Sequence, residues 1–383
     1  MKVLILHQHF RSPAMGGAIR SYYLAKALVD RGIETVVITG CNEVTYRNEN
    51  LEGIEVHYLP VAYENAFGFL KRSLSFLSYV WKSYRLAKKI PDVNIVYAIS
   101  TPLTVGLVAM RLKKRLKLPY IFEVGDLWPD APIQMGFIKN KIFASLLYKL
   151  EKVIYKNADS IVALSESIKN AVQQKISSKQ IHIIPNFSDC DFYQPEKKNP
   201  MLRKKYSVEG KFVVSYIGAI GAANGLDYFI ECANTSQKAD LPVHFFLCGE
   251  GAMLDQLKAS ITNLNLKNIS VIGFVGRDEV RDILNITDAS FICYKNVPIL
   301  QTGSPNKYFD SLAGGKLIVN NFGGWIKEEI AREQCGISID PFHPTDFIKK
   351  TESFLKDSKL LLEFQARSRS LAERKYDRKK LSD

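Results

Sequence analysis

The chain has 383 residues, 46% of them hydrophobic, and a formal net charge of +13. That length exceeds one ordinary core and implies two domains of similar size, globular throughout because no low-complexity tract interrupts them. The charge is uneven, +9 over residues 1–195 and +4 over the rest, which directs an acidic partner to the first half. An anionic membrane surface fits that partner as well as nucleic acid does, and neither zinc-finger cysteine spacing nor an RNA-recognition signature supports the latter. Cys41, Cys190, Cys232, Cys248, Cys293 and Cys335 form no Cys-x-x-Cys pair, a pattern of reduced, packed thiols in a cytosolic protein. No run approaches 18 uninterrupted apolar residues, so no membrane span is expected. Met1–Leu6 is too short an apolar run for a signal peptide.

Lys2–His7 is predicted as the first strand, followed by a loop with Gly16-Gly17 and a helix carrying Ile19, Tyr22, Tyr23, Ala27 and Leu28 that ends at Gly32. Strand, glycine loop and helix make a mononucleotide-binding half-unit. His7 and His9 alternate onto one face of the strand end, but with no third ligand nearby a metal is not expected. After strands at 33–39 and 54–59 the period changes. Phe67, Leu70, Leu74, Leu77, Trp81 and Tyr84 recur by three and four, widened by Phe69, Phe76 and Val80, as the seam of an amphipathic helix. Lys71, Arg72, Lys82, Arg85, Lys88 and Lys89 surround it. Two readings stay open: a helix lying in a membrane interface, or a core-facing helix with a solvated basic face. The basic run Arg111–Lys117 supports the first reading, and it also complements a helix C-terminus. The strand Pro119–Val124 runs into Gly125-Asp126-Leu127-Trp128-Pro129-Asp130, where Asp130 suits an Asx-type turn. Helix 138–157, strand 159–163 and helix 166–175 complete the first domain. Asp189-Cys190-Asp191 is formally an Asp-x-Asp, but its linker setting reads as turn chemistry rather than a metal site.

In the second half, Lys211–Ile217 is apolar on both faces, as a buried parallel strand should be, and the loop Gly218–Gly225 follows. Val243–Cys248 with Gly249-Glu250-Gly251, then Val271–Val275 and 288–293, continue the pattern into Gln301–Trp325. There Ser304 and Pro305 read as N-cap and first helical residue of a helix that stops at Gly314-Gly315. Lys307 falls in its first turn, where the macrodipole disfavours a cation. Free amide groups, the dipole and an ammonium together make a phosphate site. Asp310, at i+3, offers an acceptor for hydroxyls on the same side. A strand over Lys316–Val319 leads to Gly323-Gly324, whose amides can approach an anion. One ligand satisfies all of this: a nucleotide sugar.

The same stretch resembles the donor segment of family 4 glycosyltransferases, enzymes of the GT-B fold. Asp310, Ala313, Gly315, Leu317, Ile318, Val319 and Gly323-Gly324 fall in register with that family's Glu-x7-Glu, Ala-x-Gly-x-Pro-Val-Ile and Gly-Gly segments. Thr302 stands for the first glutamate and Asp310 for the second. The Pro-x-Lys-x-x-Asp form at Pro305, Lys307 and Asp310 is nearest the WbuB-like branch, which builds bacterial surface polysaccharides such as O-antigen and capsule. Asp126-Leu127-Trp128-Pro129 and Ile184-Pro185-Asn186 also resemble family segments.

The resemblance implies an α/β protein with two Rossmann-like parallel-sheet domains facing a central cleft. Residues 1–190 would bind acceptor, 191–365 the nucleotide sugar, and 366–383 would form a helix packing back on the first domain. Gly16 and Gly17 would lie beside the donor phosphates, with Gly218, Asn224, Gly249 and Gly251 opposite. Gly273, Phe274 and Val275 would read the base. Thr302, Ser304, Pro305, Asn306, Gly323 and Gly324 would complete donor binding, Lys307 would stabilise the departing diphosphate, and Asp310 would hold the ribose. Asp126 would handle the acceptor hydroxyl, with His9, Trp128 and Asp130 also on the acceptor side. Most members carry Arg and Lys at the positions of Ala219 and Asn224; their loss here reads as a phosphate grip relocated to Lys307. The implied activity is a retaining, metal-independent transfer, without cofactor, from a UDP-sugar to a polyprenyl-diphosphate-linked saccharide at the inner face of the cell membrane. The resemblance hints at a deoxy N-acetylamino sugar. Two rivals stay open, a nucleotide-sugar-binding scaffold that has lost turnover and a nucleotide-sugar epimerase of the same fold.

Overall fold

The computed structural model describes residues 1–17, 19–64 and 67–382, except the Phe69 side chain, so the part expected of that ring lies outside the described residues. The chain divides into two units, Met1–Pro185 with Thr302–Ser304 and Ser382, and Asn186–Gln301 with Pro305–Leu381.

In the first unit the strands are β1 (Lys2–Leu6), β2 (Glu34–Cys41), β3 (Arg47–Leu51), β4 (Ile54–Pro60), β5 (Ile95–Ile99), β6 (Tyr120–Val124), β7 (Ser160–Ala163) and β8 (Ile181–Ile183). They form one sheet in the order β3-β4-β2-β1-β5-β6-β7-β8, parallel except where β3 runs against β4. Val3, Leu4, Ile5 and Leu6 are all buried, so β1 is covered on both faces, as its unbroken apolar run requires. The order reverses between β1 and β5, and in open parallel sheets ligands bind beyond the strand ends at such a point.

The basic helix forms over Phe69–Ala87, but its core-facing side is not the aromatic seam. Ser75, Tyr79, Val80, Ser83 and Ala87 are buried, and Tyr79 Oη donates to the Ile38 carbonyl at 2.7 Å. Leu70, Leu74, Leu77 and Trp81 stay 72%, 58%, 58% and 56% exposed. The helix does face the core with its basic residues largely solvated, but through another face: of the seam, Val80 is buried and Phe76 and Tyr84 half-buried, whereas Leu70, Leu74, Leu77 and Trp81 are not core-facing. Small and hydroxylated residues let the helix sit close on the sheet, which turns the leucines outward.

The second sheet runs β11-β10-β9-β12-β13-β14, all parallel, from β9 (Phe212–Ile217), β10 (Val243–Cys248), β11 (Ile269–Gly273), β12 (Ala289–Ile292), β13 (Leu317–Asn320) and β14 (Gly336–Ser338). Val214, Phe229, Phe245, Leu247, Phe291 and Phe347 pack in one core layer, and Phe309, Leu312, Ile318, Ile326 and Ile330 in another. Leu371, Ala372 and Tyr376 belong to that second layer. The terminal segment expected to pack on the first domain thus has its buried side chains in the second unit. Backbone hydrogen bonds from Ser188 N to Tyr376 O (2.7 Å) and from Arg378 N to Ser188 O (3.0 Å) are among those that hold it there, with Arg369 donating to the carbonyls of Cys190, Tyr193 and Ala313. The Tyr376 hydroxyl also reaches the buried Glu329 carboxylate at 2.7 and 2.8 Å. All six cysteines are free thiols, five of them buried.

Candidate active site

In the second unit, the loops after β9, β10 and β11 are joined edge to edge. Gly218 N donates to Cys248 O (2.9 Å), Ile220 N to Glu250 O (2.8 Å) and Gly249 N to Gly273 O (2.6 Å). A Cβ on Gly249 would lie 1.9 Å from Gly218 O, and one on Gly251 would lie 2.3 Å from Ile220 O, so only glycine allows this approach. Asn224 is buried, and its Oδ1 accepts from Gly221 N at 3.1 Å, closing its own loop. At the far end of the row, Phe274 is 58% exposed just beyond Gly273, with Val275 half-buried beside it.

The helix read from Ser304 begins one residue later than expected. Pro305 is the N-cap, Asn306–Ala313 are helical, and no side chain caps the end. Proline in extended backbone just before the helix leaves the first-turn amides uncapped. Lys307, in that turn, donates from Nζ to Tyr216 Oη at 2.6 Å, and Tyr216 Oη donates on to Ala219 O at 2.6 Å. The ammonium also lies 4.0 Å from the Tyr216 ring centroid and 5.3 Å from that of Tyr294. Desolvation lowers its pKa from 10.5 to about 7, with the Cys293 thiol opposing. Asp310, one turn on, is the mirror case: burial pushes its carboxyl up to about 7, with Arg277 opposing and Asp189 adding. Among the described residues, neither group has a salt-bridge partner. Lys307 stands at the helix start beside the Gly218 loop, and Asp310 one turn on, near Arg277 and Asp189.

Gly323 and Gly324 precede the helix Trp325–Arg332, with Gly324 as N-cap. Gln301 lies against both, since a Cβ on Gly324 would be 2.5 Å from Gln301 O and one on Gly323 would be 2.9 Å from Gln301 Oε1. The space expected for an anion there is partly filled by Gln301. Thr302 and Ser304 group with the first unit, where Ser165 Oγ donates to Thr302 O at 2.7 Å.

In the first unit, Gly16 and Gly17 adopt φ of 66° and 81° between the short turn Pro13–Met15 and the helix Arg20–Asp30. His7 and His9 find different partners. His7 Nδ1 lies 2.8 Å from Ser21 Oγ, whereas the His9 ring lies 4.4 Å from that of Tyr63. Burial lowers both pKa values, to about 3 and about 4, so both rings are neutral at physiological pH. Asp126 follows β6 as an exposed residue, and no hydrogen bond holds it among the described residues. Trp128 meets Phe76 edge-on at 6.4 Å.

Asp130 departs from both of its expected uses. It opens the helix Asp130–Gln134, and its carboxylate accepts from Lys175 Nζ (2.6 Å) and Tyr148 Oη (3.0 Å). Lys175 also bridges to the buried Glu151 at 2.7 and 2.8 Å. That carboxylate is committed to the fold and not to an acceptor. The Asp189-Cys190-Asp191 carboxylates are likewise committed, Asp189 to Arg277 and Arg378, and Asp191 to Arg378 and Lys379 at 3.0 Å each.

Sequence reasoning missed Tyr216 as the holder of Lys307. It also missed a buried ion pair in which Arg20 donates from Nε and Nη2 to Glu123 at 3.0 Å each. Tyr97 Oη adds a 2.6 Å bond to Glu123, and Arg20 reaches the carbonyls of Ile184 (2.9 Å) and Pro185 (2.5 Å). A glutamate inside the otherwise apolar strand Tyr120–Val124 was the available signal.

Two parallel-sheet α/β units, each with glycine loops at the C-terminal ends of its strands, make a GT-B fold. The first half matches the family model Glycosyltransferase Family 4 over residues 15–192, and the second matches Glycosyl transferases group 1 over residues 198–371. The chain belongs to the glycosyltransferases. It is 26% identical over 239 residues, 61% of this chain and 58% of the relative, to the putative teichuronic acid biosynthesis glycosyltransferase TuaH of Bacillus subtilis. The matched stretches span 54–66% of the length of three curated relatives. Among solved structures, it resembles sucrose-phosphate synthase from Thermosynechococcus elongatus, with TM-score 0.80 and 14% identity over 100% of this chain and 96% of that one. Anabaena Alr3699/HepE in complex with UDP-glucose gives TM-score 0.72 and 16% identity over 100% and 97%.

Proposed function

We propose that this protein transfers a sugar, with retention and without a metal, from a UDP-sugar to a lipid-linked saccharide in the building of a bacterial surface polysaccharide. The observation that carries the reading is Lys307. A lysine desolvated at a helix N-terminus, held by a tyrosine and matched by no carboxylate among the described residues, is a site prepared for an anion. HepE, which shares the fold, is described in complex with UDP-glucose, and TuaH as a putative teichuronic acid biosynthesis glycosyltransferase; the first supports the donor proposed here and the second the setting.

In the reaction the bond between the sugar's anomeric carbon and the diphosphate oxygen breaks as the acceptor oxygen approaches from the same face. The acceptor's proton passes to the departing phosphate oxygen. Negative charge grows on that diphosphate, where Lys307 and the uncapped first-turn amides stabilise it. Asp310 accepts from the ribose hydroxyls, Asp126 orients the acceptor hydroxyl, and Phe274 stacks on the base. The exposed Leu70–Trp81 stripe and its lysines support work at the inner face of an anionic membrane, where a polyprenyl-linked acceptor resides.

Incubation with UDP-sugars, with and without a polyprenyl-diphosphate saccharide, tests this directly. Acceptor-dependent UDP release is expected. A new UDP-sugar formed without acceptor would mean epimerisation, and binding without either product would mean a scaffold. Lys307→Ala should cut turnover on the order of 10²-fold in a folded protein. Undiminished turnover in that variant would remove Lys307 from the reaction.

A further inference from the structure

The helix Phe69–Ala87 is not alone on its side of the first sheet. It packs on the helix Val105–Leu116, which packs on the helix Lys141–Asn157. The second contact is close: a Cβ on Gly106 would lie 2.6 Å from Ile154 Cγ2. The third helix buries only Glu151, Ile154 and Tyr155, all in its C-terminal half. Leu147 and Leu150 are half-buried, but one stripe faces outward, with Ile142 76% and Leu146 56% exposed, Val153 exposed on the same stripe, and Phe137 exposed just before the helix. Lys141, Lys149, Lys152 and Lys156 line this stripe as Lys71 and Arg85 line the first.

The charges on these three helices are one-sided. Their one acid is Glu151, buried against Lys175. Exposed cations include Arg111, Lys114 and Arg115 on the middle helix. Several cations lie along aromatic rings, Arg85 at 4.5 Å from the Trp81 centroid and Lys88 at 4.9 Å from that of Tyr84. Such pairing suits a water–lipid boundary, where stems and rings insert and charges reach headgroups. A second copy of this chain fits poorly, because a two-fold contact would set the same cations against each other.

We infer that the helix Lys141–Asn157 is a second membrane-insertion element, so that an anionic bilayer is met by a face of three helices and not by the Phe69–Ala87 stripe alone. The inference deepens the membrane setting of the proposed function and rests on it only for orientation. Lipid binding can be read without any acceptor.

Flotation with vesicles of equal phosphatidylglycerol and phosphatidylcholine is the test, using Ile142→Ser/Leu146→Ser beside Leu74→Ser/Leu77→Ser. All four positions are exposed, so thermal transitions should match the wild type. Each pair should weaken partitioning by roughly tenfold or more, and both together should abolish it. Wild-type partitioning by the Ile142/Leu146 pair, with loss confined to the Leu74/Leu77 pair, would overturn the second element. So would lipid-free self-association, seen by sedimentation, that the Ile142/Leu146 pair abolishes. Vesicle binding that persists while UDP release ignores every lipid-linked acceptor would overturn the proposed acceptor and leave this face intact.

Discussion

At the scale of single residues, the second unit holds two groups whose proton affinities are displaced toward each other. The Lys307 pKa falls from 10.5 to about 7, so between those values the folded protein binds fewer protons than the unfolded chain, and this group's contribution to stability rises with pH across that window. Asp310 is raised from 3.8 to about 7; there the folded protein binds more protons, and stability falls as pH rises. Both shifts state that the charged form is poorly solvated until a ligand arrives. A diphosphate bound by Lys307 demands its proton, so UDP affinity should fall above about pH 7. Ribose contacts demand ionised Asp310, so affinity should also fall below about pH 7. Titration calorimetry across pH should return a bell, with Lys307→Met flattening its alkaline limb and Asp310→Asn its acidic one. A monotonic wild-type profile would separate at least one group from the ligand. Asp126→Asn belongs to the other substrate: UDP-sugar affinity should be kept while transfer is lost, and a parallel fall in donor affinity would contradict the acceptor-side role.

Among elements, the first unit depends on one charged junction. Arg20 opens the helix after the glycine loop, Glu123 sits in β6, and the carbonyls of Ile184 and Pro185 end the unit, so a single guanidinium ties three segments together. Arg20→Met would leave Glu123 buried without its counter-charge, at a cost of about 3–5 kcal/mol. The double variant Arg20→Met/Glu123→Leu should recover much of that loss, because no lone charge remains buried. Urea denaturation of the two variants checks both statements, and an additive double variant would show that the pair is not coupled.

For the whole molecule, the terminal segment decides which unit a truncation harms. Tyr376 fills the core beside Phe309 at 4.9 Å between centroids and, with Tyr308, satisfies the Glu329 carboxylate. Removing residues 372–383 should strip Tyr376 and Lys375 from that acid, leaving it Tyr308 and Arg332, and open a cavity. The second unit should lose on the order of 3 kcal/mol or more, with UDP binding lost at the temperature where it melts. Limited proteolysis should show cleavage beginning within residues 186–371 and not in the first unit.

Much of this could be read from residue order, because it depends on local pattern. Short apolar runs such as Val3–Leu6, and Phe212–Ile217 with Ser215 as its one polar residue, read as buried parallel strands, and glycines at 249 and 251 mark where backbones meet. Lys307 was visible because a cation in a first helical turn is locally unfavourable and so calls for a ligand. Contacts between distant segments were not legible. Asp130 looked free until Lys175, 45 residues on, claimed it. The seam Leu70–Trp81 has a helical period whether it faces core or solvent. Only the packing of Tyr79 and Ser83 against the sheet turned it outward. Periodicity and composition are properties of neighbours along the chain, and they determined the two sheets and the helix that carries Lys307. Burial and charge pairing are properties of neighbours in space, and only the tertiary structure decided which carboxylates are structural, which helix faces are exposed and where the C-terminal segment packs.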